Sequence, residues 1–171
     1  MPARPSLAAI PSLEPVVFSG PVYRVVPEAL GDRILSTEGN RYYPGRWHAA
    51  GESGVLYTSL EAGVALRELG RHASRARIEG GLVTGTIEIR LQKVLDLTAD
   101  AALGALGLSR EALIPADHSM TQAISLQARK AGFQGLMVPS ATGTGANLIV
   151  FENNLSAGCR IEVRGIEPSE G

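Results

Sequence analysis

The sequence predicts an α+β domain built on a mixed, largely antiparallel sheet. Three observations lead there. Short runs rich in β-branched, apolar and aromatic residues recur along all of the chain. Helical stretches fall between them irregularly, whereas a doubly wound parallel sheet would alternate strand and helix. No Gly-x-Gly-x-x-Gly follows any of the strands, which argues against a dinucleotide-binding Rossmann unit. The chain has 171 residues, a length that favours one domain and buries a core without metal or disulfide staples.

The first fifteen residues carry four prolines and only short apolar stretches. They lack the apolar segment of a secretion signal and read as a flexible arm, leaving 16–171 as the domain. Val16–Phe18 and Val22–Val26 are strand-like, with Gly20-Pro21 as a break between them. Gly31–Gly54 is rich in Gly, Arg and aromatics without a steady period, which predicts a long loop with a function. Gly54–Thr58 reads as a buried strand. Ser59 is placed to cap a helix over Leu60–Leu69, with Gly70 as its stop. Gly80-Gly81 is a turn, and Leu82–Leu91 carries Val83, Ile87 and Ile89 on a period of two. Val94–Leu97 is a further short strand. Asp100–Leu106 and Ser109–Ile114 predict short helices, and Thr121–Ala131 a longer one stopped by Gly132. Gly135–Pro139, Leu148–Phe151 and Arg160–Val163 complete the strands.

The composition excludes several functions. A formal net charge of −1 leaves no basic excess for a general phosphate-binding surface, so nucleic acid is not the expected ligand. No apolar run approaches the ~20 residues needed to span a bilayer. The single cysteine, Cys159, cannot form an internal disulfide and fits a reducing cytoplasm. His48, His72 and His118 are scattered, without cysteine or acidic partners at ligand spacing, so no metal is expected. There is no P-loop and no Gly-x-Ser-x-Gly elbow.

Three segments carry chemistry. Val22-Tyr23-Arg24-Val25 sets an arginine on an apolar strand, where a guanidinium either reaches water along its stem or points into a cleft to pair with phosphate. The second runs from Tyr42-Tyr43-Pro44-Gly45-Arg46-Trp47 through Leu56-Tyr57-Thr58-Ser59 to Leu66-Arg67-Glu68. It puts Arg46, Tyr57 and Glu68 on a loop, a strand and a helix. In the third, the buried strand Gly135–Pro139 delivers Ser140 into a glycine turn that ends at Asn147. Locally, each segment also has an ordinary structural reading.

In this order the segments resemble the RES-domain family, over most of the chain from about Val22 to about Val163. Each fragment is weak alone; their joint order is specific. The resemblance implies a compact single domain similar to ADP-ribosyltransferase toxins, with a cleft for NAD as substrate. It implies an NAD-consuming enzyme that breaks the nicotinamide–ribose bond by hydrolysis or phosphorolysis, and a cognate helix-turn-helix antitoxin as partner. Arg24 and Arg46 match the family arginines and would hold the pyrophosphate. Tyr57 would stack on nicotinamide, and Glu68 would stabilise the cationic transition state. Ser140 would orient Glu68 or the ribose, and Asn147 matches the polar position after the glycine turn. Two rival readings keep the same residues: ADP-ribose transfer to a protein, and a binding module without turnover. The family pattern Gly-Gly-Arg-Trp-Asn is here Pro44-Gly45-Arg46-Trp47-His48, and Ser125 stands where the late helix often has glycine.

Overall fold

The computed structural model describes residues 5–72 and 80–169. Residues 1–4 of the expected arm and the side chain of His72 lie outside the described residues. The strands are β1 (Val16–Pro27), β2 (Val55–Ser59), β3 (Leu82–Asp96), β4 (Gly135–Pro139), β5 (Ala146–Phe151) and β6 (Arg160–Pro168). The helices are α1 (Ala62–His72), α2 (Asp100–Leu106) and α3 (Ser119–Lys130). They form one sheet in the order β1-β2-β5-β4-β3-β6, and β1 also pairs with β3. Pairing therefore closes on itself through β1. Among the described residues only β3 and β4 run parallel; every other strand pair is antiparallel. The mixed, largely antiparallel α+β fold is the one predicted.

β5 is the middle of the core. Leu148 and Val150 pack with Val22, Leu56, Ile87, Ile89 and Leu91 on one face. Ile149 and Phe151 pack with Trp47, Leu95, Leu106, Ile124 and Phe133 on the other. A strand buried on both faces reads as a continuous apolar run, which is why Leu148–Phe151 shows no alternation.

Several boundaries differ from expectation. β1 passes through Gly20-Pro21 without a break, with Pro21 opposite Glu88 of β3. Its other edge meets β2 only at Tyr23–Ser59, so a residue lacking an N–H is tolerated there. α1 starts at Ala62 and continues past Gly70, while Ser59 belongs to β2 and its hydroxyl donates to Asn147. The expected arm is docked along part of its length. Leu7–Ser12 forms a 3-10 helix with Ile10 fully buried, and Leu7 and Leu13 pack on the same cluster. Residues three apart share one face of a 3-10 helix; the spacing of Leu7, Ile10 and Leu13 carried that signal beneath the prolines.

β3 is also longer than expected, because one side chain bridges the gap between two partners. Along one edge β3 pairs with β6 up to Arg90 and with β4 from Val94. Between them the Gln134 Oε1 accepts from the backbone N–H of Gln92 at 2.9 Å and of Lys93 at 3.1 Å. Gln134→Leu strands two donors in a partly buried edge. The expected cost is about 1–3 kcal/mol, read as a lower urea midpoint with an unchanged m-value.

Candidate active site

The turn from β4 to β5 lies on α1 because Gly145 has no side chain. A Cβ there would stand 2.5 Å from Val64 Cγ2, and the backbone has φ +78°. This contact brings Ser140 and Asn147 to Glu68. The Glu68 Oε1 accepts from Ser140 Oγ at 2.6 Å, Asn147 Nδ2 at 2.8 Å and the Ala141 N–H at 3.2 Å. Ser59 Oγ donates to Asn147 Oδ1 at 2.7 Å, which fixes which way the Asn147 amide faces. One carboxylate oxygen is thus held by three donors from a separate hairpin. Such a group keeps its place without reorganising when positive charge develops nearby.

Tyr57 and the loop before β2 form the facing wall. Arg24 on β1 donates from Nη1 to the Tyr57 carbonyl at 2.9 Å and from Nη2 to the Ser36 carbonyl at 3.5 Å. Its Nε is buried and finds no acceptor among the described residues. Burial pushes the Arg24 pKa down from its ordinary value, against the pull of the Glu152 carboxylate. Arg46 is buried, and its Nη1 donates to the carbonyls of Leu113 at 3.0 Å and Pro115 at 2.9 Å. The first turns of α3 hold this loop from below. Thr121 Oγ1 donates to the Arg46 carbonyl, and Gln122 Nε2 to the carbonyls of Gly45 and His48.

The Tyr57 hydroxyl accepts from the Trp47 N–H at 3.0 Å and lies 2.6 Å from His48 Nδ1. His48 Nε2 lies 2.7 Å from the Tyr43 carbonyl. A Cβ on Gly45 would stand 2.7 Å from both His48 Cε1 and the Tyr57 hydroxyl, so glycine at position 45 is what lets these groups meet. Burial pushes the Tyr57 pKa well above its ordinary value, and the side chain stays a neutral phenol.

Between the two walls lies a cleft of about 500 Å³. Arg24, Arg46, Tyr57, Glu68 and Asn147 line it, together with Tyr43 and His48. β1 and β2, which pair only at Tyr23–Ser59, both contribute to its lining. Of the six predicted site residues Arg24, Arg46, Tyr57, Glu68, Ser140 and Asn147, only Ser140 is absent from this lining. It is 2% exposed behind Glu68, and its hydroxyl meets Glu68 and Thr142. Sequence reasoning gave no role to Ser59, Thr121 and Gln122 in the site. Ser59 reads as a helix cap from its sequence position, and the other two act on backbone carbonyls, which no side-chain motif reveals. Among the described residues no group of three or more His, Cys, Asp or Glu side chains is placed to hold a metal ion. No helix of these residues is long and apolar enough to cross a membrane.

A family model described as RES domain matches residues 21–168. A probable NAD(+) phosphorylase of Mycobacterium tuberculosis is 37% identical over 116 residues, covering 66% of this chain and 55% of that protein. The NAD(+) phosphorylase MbcT of Mycobacterium bovis is 31% identical over 130 residues, covering 72% of this chain and 70% of MbcT. The match thus spans little more than half the length of the first of these relatives. Among solved structures, the M. tuberculosis MbcT–MbcA toxin–antitoxin complex superposes with a TM-score of 0.78 at 27% identity, covering 95% of this chain and 91% of that one.

Proposed function

The chain belongs to the RES domain family, and from that premise we propose that it is an NAD-consuming enzyme that cleaves the nicotinamide–ribose bond by phosphorolysis. The observation that carries the reading is the Glu68 carboxylate, held by Ser140, Ala141 and Asn147 on one wall of a cleft that two arginines and a tyrosine complete. The names of the two curated relatives favour phosphate over water as the acceptor.

In this reading an oxygen of inorganic phosphate bonds to the anomeric carbon as the bond to nicotinamide breaks. The electron pair of that bond goes to the pyridinium nitrogen, so nicotinamide leaves neutral and the other product is ADP-ribose phosphate. The ribose passes through a state with oxocarbenium character. Glu68 supplies the fixed negative charge that stabilises it. Ser140, behind Glu68, is a positioning residue. Tyr57 offers its ring to nicotinamide. Arg24 and Arg46 face the pyrophosphate. The Arg24 guanidinium, anchored on the Tyr57 and Ser36 carbonyls, sets a positive charge at the cleft wall. The protein works in the cytoplasm as the toxin of a pair, with a helix-turn-helix antitoxin closing the cleft.

Purified protein incubated with NAD tests this directly. The expected result is nicotinamide release that depends on phosphate, with ADP-ribose phosphate as the second product by mass spectrometry. Release without phosphate and with free ADP-ribose would instead make it a hydrolase. Label found on a protein acceptor would make it a transferase, and NAD binding without release a binding module.

A further inference from the structure

His48 sits between the floor of the cleft and its rim, and both ring nitrogens are engaged. The Tyr43 carbonyl only accepts, so Nε2 carries a proton and donates to it. In the neutral ring Nδ1 is then an acceptor, and the hydrogen bond with Tyr57 runs from the phenol to the imidazole. The Tyr57 oxygen also accepts the Trp47 N–H. Its proton and one lone pair are therefore committed to the protein. The same ring holds the backbone of Tyr43, whose side chain is 75% exposed where it lines the cleft. His48 itself is 4% exposed and meets Tyr57 edge-on, with ring planes 70° apart.

We propose that His48 is a positioning residue for NAD: it fixes the tilt of the Tyr57 ring and the direction of its hydroxyl, and it ties the rim at Tyr43 to that ring. This rests on the NAD-cleaving reading and adds to it a residue that sets how tightly the nicotinamide end is gripped. Tyr57 and the rim touch substrate before the bond breaks as well as during breakage. Loss of their alignment therefore weakens ground state and transition state alike, and appears in KM. Glu68 is expected to act in the opposite way, on kcat.

Two readouts test the role. The first is the ring-nitrogen NMR spectrum of the histidines in mildly alkaline buffer, with the His48 signals assigned by their loss in His48→Ala. The expected spectrum shows His48 protonated at Nε2 and bare at Nδ1; a proton on Nδ1 would overturn the proposal. The second is steady-state kinetics with NAD. His48→Ala is expected to raise KM about 3- to 10-fold with kcat within about twofold. The same substitution made in a Tyr57→Phe background is expected to raise KM by less, because part of its effect passes through the phenol. A kcat loss at constant KM, unchanged kinetics, or full additivity with Tyr57→Phe would each overturn the role. Should His48→Ala not fold, Tyr57→Phe alone decides through the NMR readout: the His48 nitrogen signals, assigned in the wild type through their ring protons, must shift at Nδ1 more than at Nε2. Wild-type protein that cleaves no NAD sinks the enzymatic reading itself, an outcome separate from any change between variants.

Discussion

Glu68→Gln is expected to lower kcat for NAD cleavage about 10²- to 10³-fold, or roughly 3–4 kcal/mol, the magnitude seen when one preorganised transition-state stabiliser is removed. Gln keeps an oxygen that can accept from Ser140, Ala141 and Asn147, where Oε1 now accepts all three. The substitution therefore removes charge while preserving the hairpin contact. KM should stay within a few-fold, because the charge matters chiefly once the ribose becomes cationic. The check is a kcat and KM pair measured beside a melting curve. Near-wild-type kcat in the folded variant would remove Glu68 from the chemistry and leave its contacts with the hairpin as its only role.

Trp47→Ala is the substitution expected to cost most stability, about 3–5 kcal/mol. Trp47 is 2% exposed and belongs to the cluster that joins Ile10, Leu95, Leu106, Ile124, Phe133 and Phe151. The cavity left behind lies beneath Arg46 and His48, its neighbours in sequence, so activity should fall as well. For a chain of this length the loss corresponds to a fall in Tm of roughly 6–20 °C. Calorimetry measures it; a shift below about 3 °C would mean that the site collapses around the smaller side chain. Trp47 is the only tryptophan in the sequence, so its fluorescence in the wild-type protein reports on this loop directly.

Much of this was legible in the sequence. The strands Gly135–Pro139 and Leu148–Phe151 announced themselves because continuous apolar runs of that length fit buried strands. Arg24, Arg46, Tyr57, Glu68 and Asn147 were found through the order of their motifs, and the structure gathers them on one cleft. What escaped was set by tertiary contact. Ser59 looked like a cap because hydroxyls suit helix starts, yet its partner is Asn147, distant in sequence. Gly70 looks like a stop, but α1 runs on to His72. The junction in β3 was invisible because Gln134 substitutes a side-chain amide for a strand partner, and no local pattern encodes that. In the sequence His48 stands out only as a departure from the family pattern. Only the geometry shows it meeting Tyr57 and Tyr43 at once.

The position of β5 between β2 and β4 has a consequence for how the protein is made. β2 and Glu68 are made well before the strand that β2 pairs with and the amide that steadies Glu68, both at Ala146–Phe151. Contacts of such long sequence separation form slowly, since the intervening chain must close before they stabilise anything. A growing chain that has not yet delivered β5 therefore has neither a central strand nor an assembled carboxylate. The Glu68 carboxylate reaches its three-donor setting only once β5 has joined β2 and β4, so strand insertion and assembly of the site are one event.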